Sequence, residues 1–215
     1  MQGESGEVMR PLHRPPEWSN DLAYVVGLIT TDGCLYSDGR HIEFTSKDFE
    51  QVQLLKELLG LKNRIAQKSS GYWTANLYWR IQFGDVALYR WLVDIGLSPH
   101  KSKSLGPLSI PDEYFFGFLR GHLDGDGTIR NFADPVYRNA QRLYVVFYSA
   151  SRAHLEWLQQ TTERLAEIHG FIENGKRAHR LTYAKTESLT LLRRIYPNID
   201  VPCLKRKRDL AEPFL

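Results

Sequence analysis

The chain has 215 residues, of which 42% are hydrophobic and 25% charged, with a formal net charge of +3 and a pI near 8.8. That length admits one domain or two small ones, either able to bury a real core, and the mild basicity admits a polyanionic partner without demanding one. Cys34 and Cys203 form no CxxC pattern and have no histidine at ligand spacing, which argues against a zinc site or disulfide framework and for an intracellular, reducing compartment, and no apolar run is long enough to span a bilayer.

Residues 1–19 are polar and proline-rich, lack the apolar core of a signal peptide, and read as a flexible leader. Ser19 or Asn20 can then cap a helix through AYVVGLITTDG (Ala23–Gly33), with Asp21 well placed in its first turn. Cys34–Tyr36 and His41–Thr45 read as strands around a Ser37–Arg40 hairpin turn. Ser46 or Asp48 starts a helix that runs through Leu59 and stops at Gly60. Asn63–Ser69 and Thr74–Phe83 pair around Ser70 and Gly71, and in the second of these Leu77, Trp79, Ile81 and Phe83 alternate with Asn76, Tyr78, Arg80 and Gln82. A helix over Asp85–Ile95 ends at Gly96, and a linker over Ser98–Pro111 leads to another helix beginning near Asp112.

That later helix carries GFLRGHLDGDG (Gly117–Gly127), which superposes on the first at an offset of 94 residues, Asp126 falling on Asp32. Ala23, Gly27 and Thr31 meet Gly117, Gly121 and Gly125 in this overlay, so both helices carry small residues at every fourth position. Such a stripe lets two backbones approach closely. The two helices should therefore pack together about a pseudo-twofold axis, which brings Asp32 and Asp126 side by side as a candidate metal site. The second half retraces the first: a strand at Thr128–Arg130, a long loop over Asn131–Gln141, a strand at Arg142–Tyr148, a helix over Arg152–His169 stopped by Gly170, strands near Phe171–Asn174 and Arg180–Ala184, and a helix over Glu187–Ile195. The expected fold is α+β, two αββαββα repeats over residues 20–110 and 111–215, with two four-stranded antiparallel sheets and the motif helices at the centre.

GLITTDG and LRGHLDGDG resemble the paired motifs of the LAGLIDADG homing endonucleases in their single-chain, two-motif form; the second copy matches well and the first departs at Thr30 and Thr31. The resemblance implies a monomeric saddle of two sheets straddling a long, asymmetric duplex, with metal-dependent cutting of both strands across the minor groove, short 3′ overhangs, and intron homing. It assigns Asp32 and Asp126 to the catalytic divalent ion, Mg²⁺ or in its place Mn²⁺ or Ca²⁺, with the carbonyls of Thr31 and Gly125 as further ligands. Mg²⁺ suits an open oxygen-lined site, and helix C-termini favour a cation there. Lys47, Lys103 and Lys207 are the lysines that the resemblance sets near the scissile phosphates, Lys101 and Lys205 ranking below their neighbours. An intron RNA maturase and a noncatalytic DNA-binding regulator on the same fold are the other readings, and intact carboxylates at both positions count against each.

Alternation along the strands turns one set of side chains to a common face. The candidates for reading DNA are Arg40, His41, Glu43 and Thr45; Arg64 and Lys68; Tyr78, Arg80 and Gln82; and Arg142, Tyr144, Arg180 and Thr182. Arginine can bond guanine and glutamine adenine in bidentate fashion, each good pair giving on the order of 1 to 3 kcal/mol of discrimination. Lys205 and Arg206, in the basic run CLKRKRDL, are expected to hold phosphates without reading sequence.

Overall fold

Helix α1 (Asn20–Asp32) starts where Ser19 accepts a hydrogen bond from the Leu22 amide at 3.1 Å. Its residues Leu22–Thr30 are all buried, because one side meets a second helix and the other covers a sheet. The computed structural model describes residues 15–70, 76–101, 103–134, 136 and 141–215. Gly71 of the first repeat's second hairpin and most of the turn between the first two strands of the second repeat lie outside them, as do the first fourteen residues of the expected leader.

After α1 come β1 (Gly33–Leu35), β2 (His41–Ser46), α2 (Phe49–Leu58), β3 (Ala66–Ser70), β4 (Asn76–Gly84) and α3 (Val86–Asp94). A 3₁₀ turn (Asp112–Tyr114) leads into α4 (Phe115–Asp126), and the pattern repeats as β5 (Gly127–Ala133), β6 (Gln141–Ser149), α5 (Arg152–Ala166), β7 (Phe171–Glu173), β8 (His179–Ala184) and α6 (Thr186–Ile195). The two antiparallel sheets have orders β1-β2-β4-β3 and β5-β6-β8-β7, the same topology twice. Ile42, Phe44, Ile81 and Phe83 in one sheet, and Val145, Phe147, Leu181 and Tyr183 in the other, are buried beneath the helices. Each such side chain contributes roughly 1.5 to 3 kcal/mol by burial. No described helix is long and apolar enough to cross a membrane.

Three expectations need correction. Helix α5 ends at Ala166, where Glu167 takes a left-handed conformation (φ 55°) and returns its amide to Glu163 O at 2.9 Å. Gly170 is therefore no helix stop. A Cβ there would lie 2.7 Å from a methyl of Leu181 and 2.8 Å from the Tyr183 ring, so any side chain at this position would have to displace both. Strand β5 runs on to Ala133, which moves Phe132 from the expected loop into the sheet. Helix α2 does start after Asp48, as one of the two expected starts, and the Asp48 carboxylate accepts from Arg206 at 3.0 and 2.8 Å. Finally, the basic run, for which no regular element was expected, forms helix α7 (Lys205–Ala211), seated through Leu204, Lys207 and Ala211.

Candidate functional site

Helices α1 and α4 run side by side in the same direction, homologous residues facing one another. A Cβ on Gly27 would fall on the carbonyl oxygen of Phe118, and one on Gly121 on the carbonyl oxygen of Tyr24; these are backbone contacts that leave no room for a side chain. One turn further, a Cβ on Gly125 would collide with the Thr31 side chain and lie 2.9 Å from Asp32 Oδ2. The stripe thus delivers the carboxylates of Asp32 and Asp126 to the same end of the pair. Thr31 turns its hydroxyl back to Leu28 O at 2.9 Å, as a threonine near a helix end can.

Neither aspartate has an ion-pair partner among the described residues. Burial, then the charge of Asp126, pushes the Asp32 carboxyl up to about 7, against the pull of Lys207 and Lys101. Solvent reaches Asp126, yet desolvation by its surroundings raises its carboxyl as well, again opposed by Lys207 and Lys101. No third histidine, cysteine, aspartate or glutamate joins them among the described residues. Two mutually repelling carboxylates at two helix C-termini suit a hard divalent ion whose remaining ligands are carbonyls, water or phosphate oxygens.

Two buried lysines lie beneath this end. Lys101 donates to the carbonyl of Gly33, while Lys207 donates to the carbonyls of Leu123 (2.6 Å), Asp124 (2.7 Å) and Gly127 (2.9 Å). Gly33 and Gly127 occupy homologous positions, so each repeat caps its own motif helix with an ammonium group sent back from the segment after its last repeat helix. Burial lowers both ammonium groups to about 8, and the aspartates oppose that shift. Lys103, preferred over Lys101 from sequence, is instead exposed. The amides of Ser104 and Leu105 fold back onto Lys101 O at 3.1 and 2.8 Å, Leu105 is buried, and this tight turn sends Lys101 inward. Lys47 is also exposed, its ammonium 5.6 Å from the centroid of the Tyr78 ring.

A polar network that the sequence reading missed positions Lys207. The buried Arg120 donates to Pro202 O and Ile195 O, both at 2.8 Å, and lies over the Tyr24 ring. Asp124 accepts from Tyr24 Oη at 2.9 Å and from the Leu204 amide at 2.6 Å. Together they fasten residues 195–204 to both motif helices, and Lys207 follows directly. The signal was present as Arg120 and Asp124, charged residues one turn apart in a helix expected to be packed on all sides.

No protein-family model and no curated protein sequence matches the chain. Solved structures do. Full-length DUF199/WhiA from Thermatoga maritima is 16% identical with a TM-score of 0.58, covering 92% of this chain, which spans 61% of that protein's length. The homing endonuclease I-WcaI, bound to its DNA recognition sequence, is 11% identical with a TM-score of 0.62 over 89% of this chain and 87% of its own. I-DmoI in complex with DNA and Ca is 15% identical with a TM-score of 0.58 over 90% and 97%. The fold is the LAGLIDADG fold.

In this LAGLIDADG frame the outer sheet faces carry most of the remaining candidates. His41, Glu43, Thr45, Lys68, Tyr78, Arg80 and Gln82 share one face of the first sheet by register, with Arg40 and Arg64 exposed near its margin. Glu43 is not a free reader as expected. It is buried, accepting from Tyr36 at 3.0 Å, Lys68 at 2.7 Å and Arg80 at 3.2 Å, so it orients two cations. On the second sheet Thr182 is likewise buried, Arg180 is held by Glu173 at 2.6 and 2.7 Å, Arg142 by Asp134 at 2.7 Å, and Tyr144 is half-buried. Lys205 pairs with Asp209 and Arg206 with Asp48, so their charge is partly balanced without any phosphate.

In metal-free protein, Asp32 has a folded-state pKa raised above its unfolded value of 3.8; its contribution to stability is present below about pH 4 and lost as pH rises through about 7. Thermal melting in chelator should therefore show wild type falling relative to Asp32→Asn across that window, and parallel curves would contradict the assignment. Lys207→Met strands helix carbonyls and should cost about 1 to 3 kcal/mol. Lys103→Ala should stay within about 0.5 kcal/mol of wild type in the same denaturant titration.

Proposed function

We propose that the chain is a divalent-metal-dependent endonuclease that acts as a monomer on a long, asymmetric DNA duplex and cuts both strands. The observation that carries this reading is the pair of carboxylates, Asp32 and Asp126, at symmetric helix ends, neither in an ion pair among the described residues and each beside a buried lysine. A protein that only bound DNA would gain nothing from two like charges there, which cost stability and repel phosphate. The DNA complexes of I-WcaI and I-DmoI on the same fold support a duplex partner.

Asp32 and Asp126 would hold the ion, with the carbonyls of Thr31 and Gly125 as further donors. When bound, Mg²⁺ stabilises a departing oxygen and lowers the pKa of water. The chain's own groups do the rest. Lys101 and Lys207, cationic at neutral pH with pKa near 8, supply fixed positive charge beneath the phosphates at no reorganisation cost. The outer sheet faces hold the duplex and set which phosphates meet the aspartates. Cutting across the minor groove with short 3′ overhangs, and a role in intron homing, belong to this proposal.

The test is incubation of the purified chain with a randomised duplex library, with Mg²⁺ or with chelator, followed by sequencing of cut ends and of bound molecules. Double-strand ends sharing one sequence and appearing only with metal support the nuclease. Enrichment of a duplex that is never cut overturns it in favour of a noncatalytic binder. On the duplex so found, Arg80→Ala should relax preference at one or two base pairs, each discriminating contact being worth roughly 1 to 3 kcal/mol. An equal loss of affinity for target and random DNA would remove that face as the reading surface.

A further inference from the structure

The two outer sheet faces, equivalent in topology, differ in kind. Strand register makes the counterpart of Glu43 a valine: Glu43 lies between Cys34 and Gln82, and Val146 lies between Thr128 and Thr182. The first sheet thus centres on a carboxylate holding Lys68 and Arg80. The second centres on a shallow depression of about 240 Å³ floored by the buried Val146 and Thr182. Its walls include Phe132 and Phe171, 45% and 48% exposed, and Tyr144, with Arg180 on the rim.

Exposed phenylalanines on a strand face are costly unless something covers them. Arg142 and Arg180, on the same face, are already ion-paired to Asp134 and Glu173, which leaves the exposed Arg130 as the arginine of the depression outside any ion pair among the described residues, while the floor and two of the walls are apolar. The rings of Phe132 and Tyr144 stack on each other with centroids 6.0 Å apart and planes 22° apart, which leaves no slot for a base between them. A duplex laid against a sheet presents base edges, and the one apolar group projecting into the major groove is the C5 methyl of thymine.

Resting on the duplex-binding part of the function proposed above, we infer that the second sheet reads thymine methyl groups. Phe132, Val146 and Phe171 are then specificity-determining residues for one half of the target, while the charged face of the first sheet reads the other half by hydrogen bonds. RNA lacks the methyl group, so such a face favours DNA over an RNA of the same sequence.

The experiment takes the duplex enriched by the full chain in chelator and replaces thymine by uracil in each half in turn, which removes methyl groups and keeps base pairing. Uracil in one half should weaken binding about fivefold or more, since burying one methyl-sized group is worth roughly fourfold in affinity, and in the other half less than about twofold. Phe132→Ser with Phe171→Ser should abolish that difference. Indifference to uracil in both halves overturns the inference while leaving duplex binding intact, and because the change is made in the DNA, no folding defect can mimic it. Tighter binding of single-stranded RNA or DNA than of the duplex also overturns it, in favour of base stacking. If no duplex is enriched at all, the function proposed above fails and the inference fails with it.

Discussion

Asp126→Asn protein should bind its target duplex as wild type does and yet lose double-strand cutting by on the order of a thousandfold or more, because half of the anionic ligand set is gone. Asp32→Asn should behave alike, and both should melt at higher temperature than wild type in chelator at neutral pH. The reason is that burial raises both carboxyls in the metal-free fold and the charge of Asp126 raises Asp32 further, so either substitution removes a charge that the fold disfavours. Activity and stability thus move in opposite directions. Gel-shift titration, cleavage rates and melting curves on the same preparations check all three. Undiminished cutting by either variant removes that residue from the metal site.

Gly121→Leu should prevent the chain from folding, at a cost of about 4 kcal/mol or more, beyond the usual overpacking of a core by flexible side chains. Its Cβ would strike the Tyr24 carbonyl, which belongs to a helix fixed on its other side by the first sheet. Gly27→Leu meets Phe118 O by the same symmetry. Gly106→Ala is the control, since a Cβ there meets nothing within 4 Å, and it should be neutral within about 1 kcal/mol. Circular dichroism and denaturant titration separate the three variants; a folded, cooperative Gly121→Leu would contradict the parallel helix contact.

The helix contact was legible in the sequence because a stripe of small residues repeated at one offset has few other physical uses. The doubled order of elements was legible because turn and helix-end signals recur in both halves, and the alternation in β4 fixed which face of that strand is buried; that β2 pairs with β4 and β6 with β8 came only from the fold. Choosing between Lys101 and Lys103 was not. Residues two apart in a linker point in different directions according to one turn, and that turn is set by the burial of Leu105, a tertiary event. Helix α7 was hidden because KRKR reads as solvated charge, whereas Lys207 is buried by four carbonyl oxygens that only the folded α4 end brings together. The aromatic face of the second sheet was hidden by three residues: ending β5 at Arg130 placed Phe132 in a loop and concealed its alignment with Tyr144 and Phe171.

Binding of Mn²⁺ by the chain on its duplex, followed by electron paramagnetic resonance, tests most directly whether the paired carboxylates form a metal centre. Wild type should take up the ion with saturation, and Asp32→Asn and Asp126→Asn should each weaken uptake by on the order of tenfold or more while still holding the DNA. Equal Mn²⁺ uptake by wild type and both variants would contradict a metal centre at Asp32 and Asp126.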